Sequence, residues 1–169
     1  MNGLKPLNRR SSPPQADLSK TIRKYYRRLT LCKPFTRLYD RSANNLTLGQ
    51  RGEREAERFL LREGWITVDR SYSDHFGEID LIMADQDTLV FVEVKTRRRN
   101  DGTSPAEAVD EIKIQRLTKT AQGFIRRLGL EACRVRFDVV AILWPEADSA
   151  PEIKHFHAAF EPAGKFQMF

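Results

Sequence analysis

Apolar residues recur along this chain at two spacings, and the alternation between them sets the elements to be expected. Over residues 49–63, Ala56, Phe59 and Leu60 repeat at helical intervals in a stretch rich in Glu, Arg, Ala and Leu, and Gly64 is suited to end the helix. Residues 65–72, 76–84 and 88–96 are short β-prone runs, with Asp85-Gln86-Asp87 as a turn between the last two. Leu89-Val90-Phe91-Val92 is apolar at consecutive positions, which predicts a central strand covered on both faces. Helical spacing returns over residues 106–128, where Leu117, Ala121, Phe124 and Leu128 share one face ahead of Gly129. Residues 135–144 and 153–160 read as two further strands. The order α-β-β-β-α-β-β predicts an α/β domain in which helices flank a mixed β-sheet.

The first 48 residues follow neither spacing clearly. Residues 1–17 contain Ser11-Ser12-Pro13-Pro14 and no apolar period, and read as disordered. Leu18, Ile22 and Leu29, interleaved with Lys20, Arg23, Lys24, Arg27 and Arg28, fit either a basic amphipathic helix or a solvated extension. The chain thus divides into a basic extension, residues 1–48, and a domain over residues 49–169.

Charge sharpens that division. The extension holds 11 Lys/Arg and 2 Asp/Glu, which leaves the domain 18 of the chain's 29 basic and 21 of its 23 acidic side chains. The formal charge of +6 therefore belongs to the extension, while the domain carries −3. A basic arm of this kind suits a polyanion, either nucleic acid or an anionic membrane surface. Cys32 and Cys133 lie far apart and form no metal or disulfide pattern, which fits a reducing, cytoplasmic setting. No apolar run reaches the roughly 18–20 residues of a membrane span, and no secretory signal opens the chain. An Arg-rich, acid-poor start also has the composition of an organelle transit peptide.

The candidate chemistry lies in two strands. Alternation puts Glu78 and Asp80 on one face of the first, and Glu93 and Lys95 on one face of the second. The tight turn between them should make these strands neighbours, so that Asp80 and Glu93 converge. Two carboxylates on largely apolar strands raise each other's proton affinity, and a divalent cation removes that penalty. Hard oxygen ligands suit Mg²⁺ or Mn²⁺. Lys95 would reach an attacking water or a phosphate oxygen. Any one of these residues fits an ordinary surface ion pair; the D-x12-E-x-K combination favours a site. Glu53 lies on the inward stripe of the first helix, with Glu57 one turn further on as an alternative. Lys113 leads the inner face of the second helix, where a snorkelling lysine is the plainer reading.

Arg97, Arg98 and Arg99 form a basic cluster directly after the acidic strand, placed either to hold a phosphate backbone or to be a solvated loop. His155 and His157 lie two apart with no Cys or further His to support a metal site, and read as structural. Asp74-His75 lacks the companions of a metal-finger nuclease.

Taken in order, Gly49-x-x-Gly52-Glu53-x-x-Ala56, Gly77-Glu78-Ile79-Asp80-Leu81-Ile82 and Phe91-Val92-Glu93-Val94-Lys95-Thr96-Arg97 resemble the YraN-like family of uncharacterised bacterial proteins. Pro105-Ala106-Glu107-Ala108-Val109-Asp110, Lys113 and Arg136-Phe137-Asp138-Val139-Val140 continue the resemblance, which covers nearly all of residues 49–160. The family is similar to the PD-(D/E)xK, or restriction-endonuclease-like, nuclease superfamily and to archaeal Holliday-junction resolvases. That resemblance implies Asp80 and Glu93 as metal ligands, Lys95 as the catalytic lysine and Glu53 as the helix-borne acid. It further implies a Mg²⁺- or Mn²⁺-dependent endonuclease acting on DNA, branched DNA included, and working as a homodimer. Ile79 departs from the proline of the superfamily name, and Lys113-Ile114-Gln115 stands where Lys-Gln is common. The competing expectation is a nucleic-acid-binding module that keeps the fold with little or no catalysis. A third is an interaction protein whose arm docks on a membrane or ribosomal surface.

Overall fold

A computed structural model describes Lys20 and residues 46–98, 110–131, 133–145 and 149–164. The expectations for residues 1–45 of the basic extension (Lys20 apart), for residues 106–109 and for Arg99 fall outside these.

Helix α1, Leu48–Arg62, starts at a reciprocal cap: Thr47 Oγ1 accepts the Gln50 N–H while the Gln50 side chain accepts the Thr47 N–H. Glu63 caps its other end, and Gly64 follows with φ of +89°, a conformation costly for other residues. Strands β1 (Ile66–Ser73), β2 (Glu78–Asp85) and β3 (Thr88–Arg97) then form an antiparallel meander. Helix α2, Glu111–Leu128, carries the chain to β4, Arg134–Leu143, which lies parallel to β3. Asp110 caps α2 through the Lys113 N–H at 2.7 Å, which sets the start of this helix at Glu111. Gly129 ends it in the left-handed conformation. Strand β5, Glu152–Phe156, pairs antiparallel with β4. It is shorter than the expected 153–160, because Ala158 and Ala159 donate to the Asp138 carboxylate and the Phe137 carbonyl and so turn the chain.

The sheet order is β1-β2-β3-β4-β5, a mixed sheet with β3 at its centre. Alternation sends Leu89 and Phe91 to the α2 face, where Leu117, Ala121 and Phe124 cover them together with Ile82, Phe137 and Val139. Val90 and Val92 point the other way, beneath Ala56 and Leu60 of α1, with Leu81, Met83 and Val140. Both faces of β3 are thus sealed, as its unbroken apolar run requires.

Candidate acidic site at the fork of β2 and β3

The odd positions of β3 carry Phe91, then Glu93, then Lys95, so the face that is core beneath α2 becomes charged toward the strand's end. The pairing of β2 with β3 runs from Asp85↔Thr88 to Leu81↔Val92. One step beyond, opposite Glu93, Asp80 Oδ2 accepts the Val94 N–H at 2.7 Å. A side-chain oxygen here does what a backbone carbonyl would do in a continued ladder. Ile79 also packs with Ile82 on the α2 side while Leu81 faces α1, so strict alternation fails at Asp80. The strands fork, and the carboxylate stands in the fork.

Glu93 is almost wholly buried. Its Oε1 meets the Lys95 ammonium at 3.0 Å and also the Lys113 ammonium, which arrives from α2. Burial opposes the Lys113 charge, yet the hydrogen bond and charge of Glu93 outweigh it and raise the Lys113 pKa. Asp80 has no such partner strong enough. Burial, then the charge of Glu93 and to a lesser degree that of Glu53, push it up to about 7 against the pull of the Val94 N–H and Lys113. Glu53 is half-buried near the start of α1. It owes its position to Gly52, whose backbone lies so close to β3 that a Cβ would stand 1.7 Å from Thr96 Oγ1.

The other expected residues scatter. Glu57 is buried but turned to β1, accepting from Thr67 Oγ1 at 2.6 Å and from Arg70 Nε at 2.9 Å. It therefore does not substitute for Glu53. Glu78 is exposed at the start of β2, across from Ser73. Arg97 is half-buried at the end of β3, its carbonyl accepting the Trp144 N–H at 2.8 Å, and Arg98 is exposed beyond it.

A second polar cluster gathers His155 and His157, which read as structural from sequence, around Asp138. Asp138 is fully buried on the α1 side of β4. Its carboxylate accepts from Arg136 Nε at 2.9 Å and from the Ala158 N–H at 3.0 Å, and lies 2.8 Å from His155 Nε2. Burial works against its charge, but the His155 and Arg136 hydrogen bonds prevail and lower its pKa. The ligand atoms of Asp138, His155 and His157 lie within 4.8 Å of one another, which makes this trio a candidate metal-binding triad among the described residues. Burial and the charge of His155 hold the His157 pKa below its ordinary value. Arg136 already supplies cationic charge to Asp138, so a metal here would compete with an intact ion pair. The His155/His157 pair was one sequence signal for this cluster; the missing third group is a carboxylate, Asp138, from the neighbouring strand rather than a further Cys or His.

Comparison with known proteins identifies the family. The model of "Uncharacterised protein family UPF0102" matches residues 52–142, a span that contains Glu53, Asp80, Glu93, Lys95, Lys113 and Asp138 but stops short of His155 and His157. A UPF0102 protein of Rhodococcus jostii is 48% identical over 118 residues, which cover 70% of this chain and 99% of the relative. One from Geobacter sulfurreducens is 41% identical over 122 residues, covering 72% and 94%. Another from Rhodopirellula baltica is 41% identical over 123 residues, covering 71% and 74%. No helix among the described residues is long and apolar enough to cross a membrane. The chain belongs to the UPF0102, or YraN-like, family, within the restriction-endonuclease-like superfamily.

Proposed function

We propose that the protein is a divalent-cation-dependent endonuclease that hydrolyses phosphodiester bonds in DNA, branched DNA included. The observation that carries this reading is the Asp80 carboxylate, held in a strand fork by the Val94 N–H at 2.7 Å opposite the buried Glu93, whose charge together with burial pushes the Asp80 pKa up to about 7. Such a pair stores repulsion that a cation between the two carboxylates would relieve. Asp80 and Glu93 would hold Mg²⁺ or Mn²⁺, with Glu53 supporting it. Bound there, the ion would supply Lewis acidity and countercharge for the scissile phosphate. The Val94 N–H fixes one Asp80 oxygen and so orients the other. The Lys95 amine is held beside Glu93, where it would position the attacking water and offset charge developing on the phosphate. Lys113 braces Glu93 from the helix side. The basic extension and Arg97, Arg98 and Arg99 would contact the phosphate backbone, and a two-fold substrate would call for a second copy of the chain.

A cleavage assay on duplex, single-stranded, flapped and four-way-junction DNA, with Mg²⁺ and with Mn²⁺, tests this. Lys95→Ala and Asp80→Asn should each lower cleavage by on the order of a thousandfold while binding persists. Equal rates for both variants and the parent on every substrate would rule the site out. One observation favours a second reading, a non-cleaving nucleic-acid-binding module. Two ammonium groups already neutralise Glu93, so this carboxylate can stay buried without a cation. Binding without cleavage across the whole panel would select that reading.

A further inference from the structure

The loop between β1 and β2 holds an exposed aromatic pair in a rigid turn. Asp74 Oδ1 accepts the N–H groups of Phe76 at 2.8 Å and Gly77 at 3.2 Å, and the Asp74 N–H donates to the Gly77 carbonyl at 2.9 Å. The same Asp74 oxygen takes the Thr120 hydroxyl at 3.1 Å, which ties the turn to α2. Two of the α2 positions beneath it fit closely: a Cβ on Gly77 would meet Arg116 at 3.5 Å, and one on Gly123 would stand 3.1 Å from Asp74 Oδ2. From this pinned turn His75 and Phe76 both face solvent, their ring centroids 3.8 Å apart. The Lys119 ammonium lies 5.8 Å from the Phe76 centroid.

A turn fixed by four hydrogen bonds has little freedom to fold an aromatic ring away from water. Phe76 is nonetheless 37% exposed, one of few large apolar side chains so exposed among the described residues. Besides the Asp74 carboxylate bound within the turn and the exposed Glu78, two cations lie close by: Arg116 and Lys119 are exposed on the same helix that sends Lys113 to Glu93. Phe76 precedes Asp80 by four residues, at most about 13 Å of extended chain. That distance is roughly four stacked nucleotides at about 3.4 Å per step. Two exposed rings in contact, their planes tilted by 42°, with cations beside them suit a nucleobase and its phosphates: one ring face can take a base, and the neighbouring phosphates meet the ammonium and guanidinium groups. A base paired within a duplex keeps its faces covered by its neighbours and cannot use such a platform.

We infer that His75 and Phe76 form a stacking platform for an unpaired nucleobase beside the acidic site, with Arg116 and Lys119 holding its phosphates. This rests on the nucleic-acid reading above and adds its specificity: the strand would be engaged where it leaves a duplex. Binding of the full chain, in EDTA to prevent cleavage, is measured by fluorescence anisotropy on three DNAs. They are a blunt duplex, the same duplex with an unpaired overhang, and that duplex with an abasic overhang that keeps the phosphates. The parent should bind the natural overhang about tenfold more tightly than the abasic one. Phe76→Ala should erase that difference with the duplex affinity unchanged, and Phe76→Trp should retain it. An unchanged thermal transition in both variants is the expected control for folding. Equal binding of the natural and abasic overhangs by the parent, or an undiminished difference in Phe76→Ala, overturns the platform alone. Failure to bind any of the three DNAs overturns the nucleic-acid reading together with it.

Discussion

Asp80, half-buried in the fork, and Asp138, fully buried on β4, are driven in opposite directions by their surroundings. Asp138 has the cation and the donors a carboxylate needs, so its pKa is lowered. The stability it contributes is present above its unfolded value and is lost as pH falls through its folded one. Asp80 has one N–H donor and two nearby acids, and its pKa rises from 3.8 to about 7. Here the native state holds the extra proton, so the contribution is full below about pH 4 and is lost as pH rises through about 7. Asp80→Asn keeps the neutral form at every pH. In metal-free buffer its stability advantage over the parent should grow by on the order of 2 kcal/mol between pH 5 and pH 8. Urea unfolding at the two pH values reads this directly, and Mg²⁺ at pH 8 should narrow the gap. A difference independent of pH would show that Asp80 is not under this strain. The nearness of Asp80, Glu93 and Lys95 was legible, because a tight turn pairs the two strands, but the fork that holds Asp80 was not. Lys113 was less so: a lysine at a helix start looks the same from sequence whether it snorkels or reaches a buried acid.

Among the elements, helices and strand order followed from apolar spacing, whereas departures from ideal geometry did not. Alternation is a rule for an unbroken strand, and β2 breaks it at Asp80, where Ile79 joins the α2 face. Nothing in Gly77-Glu78-Ile79-Asp80-Leu81 shows that break, because it depends on what β3 offers at Val94. Glu57 misled for a related reason. Its helical phase points inward, but inward from that turn of α1 is β1, where Thr67 and Arg70 wait. Gly52 shows how an element is set against its neighbour at a single contact. A methyl group there would overlap Thr96 Oγ1 at 1.7 Å and approach its Cβ to 2.8 Å. Gly52→Ala should therefore destabilise the fold by about 1–3 kcal/mol, although alanine is the better helix former by about 1 kcal/mol. Because the first turn of α1 must move, Glu53 moves with it, and any cleavage should fall further than stability does. Adding Thr96→Ala removes the hydroxyl but not the Cβ, so the double variant should recover part of the loss. Thermal melts of the two variants check the order; a neutral Gly52→Ala would mean that the helix and β3 are not held at this distance.

At the scale of the whole chain, charge and chemistry are separated. The domain carries a net −3 and gathers acids at the fork, and two of its lysines are already committed to Glu93. On its own, such a surface is poorly matched to a phosphate backbone. The first 48 residues carry 11 Lys/Arg against 2 Asp/Glu. If the fork acts on DNA, most of the non-specific attraction must come from this extension, with orientation left to the few basic groups near the site. Each phosphate neutralised releases counterions, so the logarithm of affinity falls with the logarithm of salt at a slope of about −0.9 per contact. Deleting residues 1–45, which removes all 11 of these basic side chains but leaves the Thr47 cap of α1 in place, should then flatten the slope by several contacts and weaken binding most at low salt. The ratio of affinities for natural and abasic overhangs should stay nearly constant, because base stacking belongs to the domain. Titrations of the full and shortened chains at several salt concentrations measure both quantities. An unchanged slope would place the phosphate contacts on the domain itself, and a tightening on anionic vesicles lost with the same deletion would assign the extension to a membrane surface instead.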